Sequence, residues 1–131
     1  MFHDGKLLLQ QRASSKITFP DVWTNTCCSH PLAGYGETDT PEDVRRGTTP
    51  GVKRAAVRKL KQELGIDADE LPTSPKAFKF LTRLHYWAAD VVTHGDRSPW
   101  GEHEIDYILF LTVDRVPTSL KPNPDEVRDV K

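Results

Sequence analysis

Val52, Ala56, Leu60 and Leu64 recur every four residues, Ala55 and Val57 widen the apolar stripe, and Gly65 follows where a left-handed cap ends a helix. This pattern predicts one helix over about 52–64, and the rest of the chain has to be arranged around it. The segment Lys6 to Arg12 reads as a buried strand, entered through a tight turn at His3-Asp4-Gly5, with Phe2 on the far side. Pro20, Val22 and Trp23 suggest a short strand feeding an irregular loop. Residues 32–50 have the Gly, Pro, Thr and Asp content of a loop, and 67–76 reads as another. Strands are expected over 78–89 and 103–113, separated by a polar connection at 91–99. A loop follows over 117–124, and Val127 and Val130 hint at a final strand. Several strands with one interposed helix predict an α/β class with a mixed sheet. One helix is thin cover for such a sheet, because both faces of a central strand need an apolar neighbour. With the abrupt ends, this leads us to expect a single domain over 1–131 that is a fragment of a longer one.

Composition closes off several function classes. At 131 residues there is room for one core but not two. Hydrophobic residues at 37% and charged residues at 28% are those of a globular protein in water. A net charge of −1 argues against general nucleic-acid binding. Two cysteines make no disulfide scaffold, so a reducing compartment is expected. There is no apolar run of membrane-spanning length and no signal-peptide pattern, and the chain reads as cytoplasmic. Asp129-Val130-Lys131 is not a peroxisomal address.

Two motifs carry chemistry. Thr24-Asn25-Thr26-Cys27-Cys28-Ser29-His30-Pro31 sets both cysteines side by side, with a histidine two residues on. Adjacent cysteines seldom bridge to each other, and zinc clips prefer at least two residues between thiols. What remains is one reactive thiol beside a basic histidine, or else two small buried hydrophobes and a loop histidine. The second motif is Trp100-Gly101-Glu102-His103-Glu104-Ile105-Asp106-Tyr107. On a strand, Glu102, Glu104 and Asp106 share one face, with successive pairs roughly 7 Å apart. Like charges so placed resist ionisation, and a divalent cation relieves them: oxygen ligands favour magnesium or manganese, and a nearby histidine admits zinc. A solvated strand end is the plainer alternative. Against it, 107–111 is apolar on both faces, so the strand runs into the core. A thiol and a carboxylate brought together by folding would make an acid/base pair. On the helix, Lys59 and Glu63 stand four apart, as an ordinary surface ion pair would. Arg12 and Lys16, flanking Ser14-Ser15, are phosphate ligands or plain surface cations.

Together these pieces resemble the type I isopentenyl-diphosphate isomerases, a branch of the Nudix superfamily. The stretches that match are 6–12, 16–20, 24–32, 51–66, 81–86 and 100–110, in the family's order, and 123–129 looks like its next segment. The strings TNTCCSHP and WGEHEIDY look like the eukaryotic form. The resemblance implies a Nudix-like α/β/α sandwich, here without N- and C-terminal elements. It also implies antarafacial interconversion of isopentenyl and dimethylallyl diphosphate, a step toward isoprenoids and sterols. By carry-over, Cys28 and Glu104 are the acid/base pair on opposite faces of the five-carbon unit, and Tyr86 hydrogen-bonds at the reacting centre. Trp100 would offer a π face to the developing cation. His30, Glu102 and Glu104 would bind a divalent metal (magnesium, manganese or zinc), and Glu63 a magnesium ion on the diphosphate. Arg12, Lys16, Ser29 and Lys59 would contact the diphosphate. The expected partner is a small molecule, with neither nucleic acid nor membrane involved.

The departures are equally specific. The usual Nudix run Arg-Glu-x-x-Glu-Glu is here Arg58-Lys59-Leu60-Lys61-Gln62-Glu63, which argues against pyrophosphohydrolase work and is typical of the isomerase branch. Two further metal-binding histidines of the family have no match; His3 corresponds to neither. The segment 88–99 is longer than usual. The expectation for this chain is therefore weak or absent turnover and poor metal retention. The alternatives are a Nudix hydrolase of a nucleoside diphosphate derivative and a non-catalytic diphosphate-binding remnant.

Overall fold

In chain order the elements are β1 (Phe2–His3), β2 (Lys6–Leu7), β3 (Gln10–Arg12), β4 (Trp23–Thr24), α1 (Pro41–Arg46) and α2 (Pro50–Leu64). A 3-10 turn (Ala68–Glu70) follows, then β5 (Phe78–Ala89), α3 (Val91–His94), β6 (Gly101–Leu111) and β7 (Val127–Val130). The computed structural model describes residues 1–74 and 76–131. Helices and antiparallel strands are mixed as the α/β expectation requires, and an isolated parallel bridge joins Phe2 to Thr112.

The periodic stripe does form the long helix, with Ala55, Leu60 and Leu64 buried. It starts two residues earlier than the stripe suggests, because Asp39 reaches across to accept from the Gly51 and Val52 N–H groups at 2.6 and 3.0 Å. Only glycine fits at 51, where a Cβ would lie 2.7 Å from the backbone of Glu37 and Thr38. Gly65 ends the helix at φ 71°, donating to the Leu60 and Lys61 carbonyls. Leu60 and Leu64 pack with Ile66, Leu71, Phe78, Leu111, Val113 and Val127 into one core. The hairpin β5–β6 is thus rooted in the core at Phe78 and Leu111, which face each other in register. Its far end runs out to solvent, where Trp87 is 81% exposed.

Three local expectations are corrected. Lys6 to Arg12 is not one buried strand: β2 pairs with β1 around the Asp4-Gly5 turn, and β3 pairs with β4 and β7, leaving Leu8 and Leu9 between them. Leu7 is 41% exposed. The loop expected over 32–50 contains α1, started by a Thr40–Asp43 capping box and stopped by Gly47 at φ 68°. The connection at 91–99 contains α3, capped by Asp90, whose carboxylate accepts from the Thr93 N–H at 3.1 Å. The loop expected over 67–76 holds the 3-10 turn and includes Pro75, which lies outside the described residues. The strand over 78–89 and the final strand form as expected, and the strand expected over 103–113 sits at 101–111.

Candidate active site

The loop after β4 and the inner face of β6 enclose a cavity of about 500 Å³. Cys27, Cys28, Ser29 and His30 line one side, and Glu104 and Asp106 the other, with Phe78, Ile108 and Leu111 forming its apolar floor. The Cys28 Sγ and carboxylate oxygens of Glu104 and Asp106 all lie within 4.8 Å of one another. His30 Nε2 is 3.0 Å from Glu104 Oε1. Register explains the acidic side: Glu104 stands opposite Tyr86 and Asp106 opposite Leu84, so alternation aims Glu102, Glu104, Asp106 and Tyr86 to one face. Tyr86 donates its hydroxyl to Glu102 and lies 3.5 Å from Glu104, linking the two carboxylates.

Cys28 as a residue is solvent-accessible, but its thiol lies against the cavity wall. Burial of the sulfur, then the charges of Asp106 and Glu104, push it up from about 9 to about 11. Cys27 is packed against the core and is pushed up to about 12, by burial first and the Glu63 charge second. Burial and the charges of Glu104 and Glu102 also raise Asp106 above the usual carboxylate range. The Tyr86 phenol is raised by burial and by its bond to Glu102. Every one of these shifts favours the protonated form, as expected for groups buried beside carboxylates.

The loop carrying the cysteines is held from α2. Arg58 donates Nε and Nη2 to the two oxygens of Glu37 at 2.7 and 2.9 Å, and Nη2 also reaches the His30 carbonyl at 3.0 Å and Ser29 Oγ at 3.2 Å. Glu37 in turn accepts from the Leu32 N–H at 2.9 Å.

The basic residues gather elsewhere. Lys16 is ion-paired with Glu126, and Lys59 lies 3.9 Å from Glu126 and 3.0 Å from Glu63. The bond to Lys16 and the charges of Lys59, Lys16 and Arg12 hold Glu126 below the usual carboxylate range. Arg12 donates to the carbonyls of Thr18 and Phe19 at 2.7 and 2.9 Å and sits 3.8 Å from Glu102. Glu63 is buried, its second oxygen accepting from Gln10 Nε2 at 2.9 Å. Trp100 is 49% exposed near the hairpin tip and does not line the cavity.

Of the residues chosen from sequence, Cys28, Ser29, His30 and Glu104 thus line one cavity, and Tyr86 and Glu102 adjoin it. Arg12, Lys16, Lys59 and Glu63 form a neighbouring charged network, and Trp100 stands apart. Asp106 deserved a place in the site, and strand alternation was the signal for it. Glu126 and Glu37 carried no local signal, since their partners are distant in sequence. Cys28, Glu104 and Asp106 form a donor group able to hold a metal ion: a cation about 2.1 Å from each donor puts them about 3.0–4.2 Å apart.

The NUDIX domain pattern matches residues 2–131, which take in the long glycine-capped helix, the acidic strand and the clustered basic network. The chain belongs to the Nudix domain family. It is 52% identical over 136 residues to the isopentenyl-diphosphate delta-isomerase idi1 of Aspergillus fumigatus, covering 98% of this chain and 44% of that protein. To the isopentenyl-diphosphate delta-isomerase of Schizosaccharomyces pombe it is 52% identical over 129 residues, 97% of this chain and 49% of the relative. To the isopentenyl-diphosphate Delta-isomerase 1 of Bos taurus the figures are 46% over 125 residues, 95% and 48%. The chain therefore spans about half the length of the curated relatives it matches.

Proposed function

We propose that this chain carries the catalytic centre of an enzyme that isomerises isopentenyl diphosphate to dimethylallyl diphosphate, feeding isoprenoid synthesis. The observation that carries the reading is the convergence of the Cys28 thiol with Glu104 in an apolar-floored cavity. With its thiol raised to about 11, Cys28 is protonated at neutral pH and is the proton donor. It gives its proton to the terminal methylene, the positive charge falls on the tertiary carbon, and Glu104 takes the proton from the methylene next to the diphosphate-bearing carbon. The double bond moves and no atom is lost. Tyr86, donating to Glu102 and reaching Glu104, keeps the two carboxylates in register. The apolar floor keeps water from the cation.

A hydrocarbon layer between sulfur and carboxylate needs about 7–8 Å, two carbon contact distances. The present separation, within 4.8 Å, is smaller. Substrate entry must therefore move the Cys28 loop outward by about 2–3 Å. The loop is anchored by the Arg58 bonds rather than by strand pairing, so it is the side that gives.

The oxygen and histidine donors fit a divalent cation at Glu104 with His30, Glu102, Asp106 or Cys28, and such an ion would supply positive charge that fixes the carboxylates in their ionised form. Glu63 does not fit as arranged, because its oxygens are taken by Lys59 and Gln10. Arg12, Lys16, Lys59 and Ser29 supply the diphosphate contacts, and Glu126 marks where an anion sits among the first three.

Isotope exchange from heavy water into isopentenyl diphosphate, with magnesium, tests this reading on the wild type, Cys28→Ala and Glu104→Gln. Incorporation by the wild type, however slow, that both substitutions abolish is the expected result. Incorporation untouched by Cys28→Ala overturns the assignment, and release of inorganic phosphate without isomerisation favours a Nudix hydrolase.

A further inference from the structure

The hairpin has a second face, and it carries a different chemistry. Alternation points the side chains of Arg83, His85, Trp87, His103, Ile105 and Tyr107 away from the acidic row, on the far side of the strand that lines the cavity with residues 103–111. His85 stands across from Ile105, and His103 across from Trp87, so the two histidines are diagonal neighbours. Their Nε2 atoms are 2.8 Å apart, with ring centroids at 5.0 Å and planes at 49°. Both side chains are exposed.

We infer that His85 and His103 form a binding site for a divalent transition metal, separate from the acidic cavity. Two imidazoles at this distance share one proton, one ring donating and the other accepting through its lone pair. A metal replaces that proton and takes both lone pairs. At about 2.0–2.1 Å from each nitrogen in tetrahedral geometry, an ion holds the two nitrogens about 3.3 Å apart. The rings need to part by about 0.5 Å, within the reach of exposed side chains on a fixed backbone. Two protein ligands leave two positions for water or another small ligand.

The rest of the face sets the class of ion. It carries no carboxylate, and the hard cations magnesium and calcium find no oxygen ligands there. Nickel, copper and zinc accept imidazole nitrogen. Arg83 lies over the Tyr107 ring, with its guanidinium carbon 5.9 Å from the centroid. The Trp87 ring is 6.4 Å from that of His103 and 81% exposed, which places an optical reporter beside the site.

The test is a titration of the whole chain with Ni2+ alone, followed by tryptophan fluorescence and calorimetry, on wild type, His85→Asn, His103→Asn and Trp87→Phe. Wild type should show saturable quenching that a large excess of Mg2+ does not reverse. Each histidine variant should bind about a hundredfold more weakly, because one tethered ligand no longer helps the other. Trp87→Phe should lose most of the quenching and keep the binding heat. Unchanged Ni2+ affinity in either histidine variant overturns the site, as does displacement by Mg2+. Imidazole resonances of the wild type under Zn2+ provide a check that needs no variant to fold. The signals of His85 and His103 must move together, and movement of His30 alone overturns the inference.

Discussion

Cys27 and Cys28 are neighbours in the chain, yet they report on two different sets of carboxylates. After burial, the largest influence on Cys27 is Glu63, and on Cys28 it is Asp106 followed by Glu104. Glu63 and Glu126 are held by Lys59 and Lys16, and Glu126 lies below the ordinary carboxylate range. On the acidic row of β6, the group within ion-pair distance of Glu104 is the imidazole of His30, and Asp106 is pushed up instead. Carboxylates in the two regions therefore do opposite things. Where lysines answer them, the carboxylates brace the structure, at the place proposed above to take an anion. Where nothing answers them fully, they hold protons back on a thiol and invite a cation. In the proposed function, the difference separates the part of the site assigned to the diphosphate from the part assigned to proton transfer.

The largest effect that can break this division is on turnover. Glu104→Gln should lower isotope exchange by about 10²–10⁴-fold, the usual contribution of a positioned acid or base. Glu126→Gln should leave the proton step intact and act mainly on substrate affinity. If Glu126→Gln lost as much exchange at saturating substrate as Glu104→Gln, the two sets would not be distinct.

Next in size is stability on the lysine-held side. Lys59→Met leaves the buried Glu63 with Gln10 as its remaining partner, and an under-satisfied buried charge costs about 1–3 kcal/mol. Urea unfolding should show that loss, and Glu63→Gln in the same chain should recover most of it. A double variant no better than Lys59→Met would mean that the lysine braces the fold by packing alone.

Much of this contrast was legible in the sequence, but unevenly. The acidic row could be read because a strand repeats every two residues, so Glu102, Glu104 and Asp106 had to share a face. The helix could be read from its stripe and from Gly65. Of the lysine-held network only the Lys59–Glu63 pair could be read, and as a surface pair although Glu63 is buried; Lys16 meets Glu126 across 110 residues, and no local pattern anticipates that meeting. Helix α1 was hidden for another reason: its six residues are too few to show a stripe and bury none of their side chains. Its cap, Thr40 with Asp43, lies in a run whose proline and glycines read as loop. The Leu7-Leu8-Leu9 run misled because hydrophobicity was taken for burial, whereas the backbone changes sheets there.

The thiols give the third test. Asp106→Asn should lower the Cys28 titration from about 11, and alkylation at pH 8 should speed up roughly 3- to 10-fold. Glu104→Gln should do less, and Glu63→Gln less still. For Cys27 the largest effect should come from Glu63→Gln. Mass spectrometry after timed alkylation distinguishes the two sites. The same raised thiol predicts an alkaline limb. Folding favours the protonated sulfur, so its stabilisation is complete below about 9 and is lost as pH rises toward 11.

The smallest effect is the most discriminating, because the two sets should respond to acid with opposite sign. Asp106 is raised in the folded chain, which means that its charge opposes folding at neutral pH and that this penalty disappears as pH falls through its titration. Asp106→Asn should therefore stabilise the chain at pH 7 and be neutral in acid. Glu126 is lowered, so its charge supports folding above the usual glutamate value of 4.5, and that support is lost as pH falls toward and below its folded value. Glu126→Gln should destabilise at pH 7 and converge on wild type in acid. Both changes should be at most about 1 kcal/mol, the scale of partly exposed charges. Thermal melts at pH 7 and pH 4 would then show two curves approaching the wild type from opposite sides. Approach from the same side would mean that the row on β6 is compensated after all, and that its carboxylates are ionised without needing a cation or a proton.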